Sequence, residues 1–196
     1  MNSTNGINDK RQRILKAAAR VFSRKGFYKS TVAEIAKEAQ VADGTIYLYF
    51  KNKDDILITL FEDEMATVIR EMKQELSGLD TAEQKIRKFI EKHLALIDEN
   101  RELAEVIQIE LRQSHKFMKE YSGTKFRDYV NIISSIINEG QKNGEFNQDI
   151  IPGIAKIVLF GSLDELSNYW VLSKRKKYSL SLCAQITGDI FLSGIK

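Results

Sequence analysis

The chain has 196 residues, 43% hydrophobic and 29% charged, with one proline, 11 glycines and a formal net charge of +3. So little turn punctuation argues against an all-β fold, and the fold class expected is all-α. Cys183 is the single cysteine, which excludes an intrachain disulfide and a thiolate metal cluster. No apolar run reaches the ~20 residues of a membrane span, so a cytoplasmic protein without membrane attachment is expected.

Residues 1–9 are polar and read as a disordered arm. From Lys10 the apolar residues Ile14, Ala18, Val21 and Phe22 recur at three- and four-residue steps, the stripe of an amphipathic helix. Gly26 stops it, behind Arg24 and Lys25, which suit the negative end of the helix dipole. Thr31 and Glu34 have capping-box spacing and open a second helix carrying Val32, Ile35, Ala36 and Ala39. Gln40 to Gly44 interrupts that helix after about two turns, and Thr45 to Phe50 follows. Two short helices joined by a few residues match a helix-turn-helix, whose second helix enters the major groove. Asn52 or Lys51 precedes a new helix through Ile56, Leu57, Leu60, Phe61 and Met65.

Further on the pattern stays helical, with breaks at 77–80, near 98–100, at Gly123, at Asn143-Gly144 and around 174–178. Pro152 stands where a first-turn proline belongs. The helices after Pro152 and after Leu180 carry apolar residues on more than one stripe. Each is therefore expected to bury one face inward and another against a second subunit.

Charge is unevenly divided. Residues 1–53 hold 11 Lys/Arg and four Asp/Glu, a net of +7, whereas the remainder holds 19 and 23, a net of −4. A basic head on a mildly acidic body suits a polyanion gripped at one end, although a basic solvated surface would show the same sum. Within the head, Gly44 allows close backbone approach to a duplex, and Thr45 offers a hydroxyl to a base or a methyl to thymine. Tyr47 and Tyr49 are long enough to reach phosphates. The catalytic motifs sought are missing from the sequence: no GxSxG, no HExxH and no glycine-rich phosphate loop. Neither an enzyme nor a resident metal or cofactor is expected. A purely structural helical adaptor would leave the basic head unexplained.

The run Thr31 to Ala39 followed by Val41 to Lys53, with Ile14 to Ala18 and Phe22 to Phe27 before it, resembles the head of TetR-family transcriptional regulators. The resemblance implies a three-helix DNA-binding domain at 10–53 and a helical ligand-binding and dimerisation domain at 54–196. It further implies a homodimer through the last two helices, an inverted-repeat operator of double-stranded DNA, and phosphate contacts by Tyr49, Lys53 and Thr31. Val106 to Ser114 and Phe160 to Glu165, with Trp170 after them, are similar to a narrower group, the fatty-acid-degradation repressors of bacilli. That likeness implies repression released by long-chain acyl-CoA as effector. Ile107, Leu111, Phe117, Phe126, Tyr129, Ile133, Ile136, Phe160 and Leu163 are then candidates for an acyl tunnel, and Arg112, Gln113 and Lys116 for its polar mouth. Each apolar candidate equally suits an ordinary core. Arg112 has three readings: a ligand phosphate, an internal pair with Glu110 or Asp164, or water. His93, His115 and Cys183 read as structural. The competing function is regulation of an efflux system by a lipophilic drug-like ligand.

Overall fold

The structure, a computed structural model, describes residues 3–99, 124–173 and 175–196. Among these residues every regular element is helical: α1 Ser3–Lys25, α2 Val32–Glu38, α3 Asp43–Ile46, α4 Lys53–Ser77, α5 Ala82–Glu99, α6 Thr124–Lys142, α7 Pro152–Leu172 and α8 Leu180–Ile195. None is long and apolar enough to cross a membrane. Residues 3–9 are helical, not the disordered arm expected. Once the amphipathic turns after Lys10 exist, each added residue gains a hydrogen bond without a new nucleation cost, and no proline intervenes. Two compact units divide within α4, between Glu64 and Met65. The domain boundary expected after Lys53 falls at the start of this helix, which is continuous for 25 residues and has no breaker at the division.

In the first unit α1 packs on α2, and α2 on α3, around Ile14, Ala18, Phe22, Ile35, Ala36, Ile46 and Phe50, all buried. Thr31 completes the capping box: its hydroxyl accepts from the Glu34 N–H (3.2 Å), and its own N–H donates to the Glu34 carboxylate (3.0 Å). Glu34 also takes the Lys25 ammonium, while Glu38 receives Arg24 (2.6 Å) and Arg20 (2.8 Å), so two carboxylates clamp α2 to α1. The hydrogen bond from Lys25 first, then that from Thr31, holds the Glu34 carboxyl below its ordinary range; Arg24 and then Arg20 do the same for Glu38. The helix-turn-helix corner is a Schellman close, with Val41 N–H on the Ala36 carbonyl (3.0 Å) and Gln40 N–H on that of Lys37 (3.2 Å). It forces Gln40 to φ 55°, a left-handed position usually given to glycine.

In the second unit α5 is the central helix. Its Ile86, Phe89, Ile90 and Leu94 are completely or almost completely buried, and it packs on α6, α7 and α8. The Glu145 carboxylate caps its start, accepting from Ala82 N–H (3.0 Å) and Glu83 N–H (3.2 Å). The Phe146 ring lies on Gly140, where an added Cβ would come within 2.2 Å of it, so glycine is required for that approach. Arg87 pairs with Asp189 (2.8 Å) and ties α5 to α8. Pro152 is in the first turn of α7, as expected.

Two outcomes test the head. Because the folded Glu38 carboxyl is depressed, its stabilisation is complete above the unfolded value of about 4.3 and is lost as pH falls through the folded value. Glu38→Gln is expected to lower the melting temperature at neutral pH, and the gap to the parent protein should close below about pH 4. Gln40→Gly, by removing left-handed strain, is expected to raise stability by about 0.5–1 kcal/mol in urea unfolding.

Candidate nucleic-acid interface

The helix expected at 45–50 consists of one α-turn, Asp43–Ile46, continued by turn bonds from Leu48 N–H to the Thr45 carbonyl (3.2 Å) and from Phe50 N–H to that of Ile46 (3.0 Å). Ile46 and Phe50, four residues apart, point into the head core at 1% and 3% exposure. Their burial turns the opposite side outward. Gly44 is exposed and a Cβ there would meet nothing within 4 Å, so nothing in the chain itself demands a glycine. Thr45 is half-buried beside it, and Tyr47 stands out at 60% exposure. Tyr49 is less outward than the sequence suggested: it is half-buried, its ring tilted against Phe50 at 6.5 Å.

Leu48, missing from the sequence-derived set, is 81% exposed, the highest value among the large apolar side chains described. Its position two residues from buried Ile46 places it on the far side of a helical turn, and that spacing was the available signal. Tyr28, at 71% exposure in the turn before α2, was likewise passed over.

Lys53 has a different placement from the expected free phosphate ligand. Its ammonium donates to the carbonyls of Phe27 (2.6 Å), Ser30 (2.8 Å) and Tyr28 (3.3 Å) and lies 4.4 Å from the centre of the Phe27 ring. All three protons are committed within the head, so the side chain ties the α1–α2 turn to the start of α4. Asn52 caps that helix, accepting from Asp55 N–H (2.8 Å). Thr31, fully engaged as the α2 cap, is nonetheless exposed. Lys29 and Lys37 are exposed and form no ion pair among the described residues.

Of the effector-site expectations, Ile107, Leu111, Arg112, Gln113, Lys116 and Phe117 lie outside the described residues. The others come together in the second unit. Phe126 and Phe160 meet edge to face (5.3 Å between ring centres), Phe160 meets His93 (5.7 Å), and His93 stacks near Tyr129 (5.8 Å). Ile133, Ile136 and Leu163 are buried in the same unit. His93 Nδ1 shares a 2.7 Å hydrogen bond with the Tyr129 hydroxyl, which satisfies the histidine as expected. Burial pushes the Tyr129 phenol upward, so it stays neutral at any physiological pH. The pair puts one polar point in an otherwise aromatic wall, and the sequence reading did not assign His93 to it. The outer sides of α7 and α8 remain apolar and open: Ile154, Ile157, Val158, Leu182, Ile186 and Ile190 are between 43% and 70% exposed.

Residues 14–60 match the family described as bacterial regulatory proteins, tetR family, and residues 61–194 match the YsiA-like protein, C-terminal region. The fatty acid metabolism regulator protein of Bacillus subtilis (strain 168) is 38% identical over 186 residues, covering 95% of both chains. The crystal structure of the transcriptional regulator FadR from Bacillus subtilis in complex with stearoyl-CoA superposes with a TM-score of 0.87 at 38% identity, over 94% of this chain and 99% of that one. That of the fatty acid degradation regulator FadR from Bacillus halodurans does so with a TM-score of 0.87 at 34% identity, over 94% and 95%. An exposed recognition segment held on a buried Ile46–Phe50 footing, and a helical body that matches over its whole length, lead to one conclusion: this chain belongs to the TetR family of bacterial transcriptional regulators.

Proposed function

We propose that the protein is a cytoplasmic repressor that binds an inverted-repeat operator as a homodimer and is released by long-chain acyl-CoA, so that fatty-acid degradation genes are switched on when their substrate accumulates. The observation that carries this reading is the near full-length likeness to a regulator whose crystal structure holds stearoyl-CoA. Both the DNA-binding head and the helical body fall within that likeness, at 38% identity over 95% of the chain.

On the operator, Gly44, Thr45 and Leu48 meet base edges, the last offering apolar surface to a thymine methyl. Tyr47 and Tyr49 donate their hydroxyls to phosphates, and the exposed Thr31 adds a polar edge at the start of α2. Lys53 acts one step back, positioning the 27–30 turn, while Lys29 and Lys37 supply diffuse attraction. One head reads few bases, so two are needed, with half-sites on the order of 34 Å or a multiple apart. The open apolar sides of α7 and α8 support pairing of these helices with their counterparts in a second copy. In the body, Phe126, Tyr129, Ile133, Phe160 and Leu163 line the acyl site together with Ile107, Leu111 and Phe117, and Arg112 and Gln113 stand at its polar mouth. The effector releases DNA because it binds more tightly to a state whose head spacing does not fit the operator.

Three measurements check this. Stearoyl-CoA at micromolar concentration is expected to free operator DNA in a gel shift, whereas a cationic dye is not; release by the dye alone would move the protein to efflux control. Tyr47→Phe is expected to weaken binding to all duplexes by about 1 kcal/mol, and Leu48→Ala to weaken the operator more than unrelated DNA; equal losses on both would remove Leu48 from base reading. Ile157→Asp with Ile190→Asp is expected to give monomers in sedimentation and to abolish tight operator binding; an intact dimer would place the interface elsewhere.

A further inference from the structure

The loop joining α7 to α8 reads Lys174-Arg175-Lys176-Lys177, and no acidic residue occurs between Glu165 and Asp189. Arg175, Lys176 and Lys177 are exposed and have no carboxylate partner among the described residues. Adjacent like charges without a counterion repel one another, so the loop presents a concentrated positive potential toward any approaching polyanion.

Aromatic rings accompany the cations. The Lys176 ammonium stands 2.9 Å from the Trp170 ring centre and that of Lys177 5.2 Å from the Tyr178 ring centre. Trp170 Nε1 donates to the Tyr178 carbonyl (3.4 Å), and Ser173 Oγ to that of Arg175 (2.9 Å), so the rings and the loop backbone are held together. The loop then feeds the N-terminus of α8, a 16-residue helix capped by Ser179, whose positive end adds to the same field. Trp170 continues the inward stripe of α7 marked by buried Leu163 and Ser167, at steps of four and three residues. Ten residues separate it from Phe160 of the ring cluster, about 15 Å along the helix.

We propose that this loop is the docking site for the nucleotide end of the acyl-CoA effector, with Arg175, Lys176 and Lys177 pairing with its phosphates and Trp170 and Tyr178 stacking on its adenine. The proposal rests on the acyl-CoA reading above and extends it to residues that neither the family match nor the sequence motifs assign. Clustered cations pair with phosphates, and the exposed Tyr178 ring and the uncovered part of the half-buried Trp170 ring stack on a base. The spacing along α7 lets a pantetheine arm run from the loop to an acyl chain lodged at Phe126 and Phe160.

Trp170 is the only tryptophan, so the emission of the full-length protein reports on the site directly. Titration with coenzyme A lacking any acyl chain, and with stearoyl-CoA, is expected to change Trp170 emission; stearic acid is not. The variant Arg175→Ser, Lys176→Ser, Lys177→Ser is expected to bind stearoyl-CoA about tenfold or more weakly in calorimetry and to need correspondingly more of it to release operator DNA. Its melting temperature and its effector-free operator affinity should match the parent protein. Unchanged stearoyl-CoA affinity in the variant overturns the docking site and leaves the acyl-CoA reading standing. No stearoyl-CoA binding to the parent protein overturns both. Emission that responds to phosphatidylglycerol vesicles and not to coenzyme A overturns the proposal in favour of a membrane contact.

Discussion

A four-residue helix has no stability of its own, because nucleation costs more than one turn of hydrogen bonds returns. The α3 turn exists because Ile46 and Phe50 are buried against α1 and α2, and everything presented to DNA is what that burial leaves outside. Gly44, Tyr47 and Leu48 face outward, with the half-buried Thr45 beside them, for this reason rather than through any contact of their own. The left-handed Gln40 serves the same end: it turns the chain sharply enough for α3 to reach the pocket prepared for Ile46.

The head's cations are divided between two tasks. Arg11 pairs with Asp63 (2.7 Å), Arg20 and Arg24 with Glu38, and Lys25 with Glu34, while Arg13 and Lys53 donate to backbone carbonyls. These six hold the helices of the first unit together. Exposed pairs of this kind each contribute little, but several converging on α2 restrict where it lies on α1. Lys29 and Lys37 are exposed and form no ion pair among the described residues, so their charge is not neutralised within the head.

The second unit shows a different economy. Helix α5 packs its apolar residues on α6, α7 and α8, and the part-buried His93 gives the buried Tyr129 hydroxyl a hydrogen-bond partner, which avoids the cost of an unsatisfied buried group. Helices α7 and α8 keep a second apolar side that stays exposed among the described residues. A patch of that extent is costly in water, which is why it supports the proposed pairing with a second copy.

Local sequence alone determined the helical class, the starts at Thr31 and Pro152, the breaks near 78, 143 and 174, and the two-sided character of the closing helices. These features depend on caps, breakers and periodicity, which act over a few residues. It also determined the basic head, since charge sums need no coordinates. Only the tertiary structure decided that Lys53 turns inward to three carbonyls, that Leu48 is outward while Tyr49 is half-covered, and that His93 joins Tyr129. Each of these depends on residues distant in sequence, Lys53 on Phe27 and His93 on Tyr129, and no local pattern announces which distant group a side chain will meet.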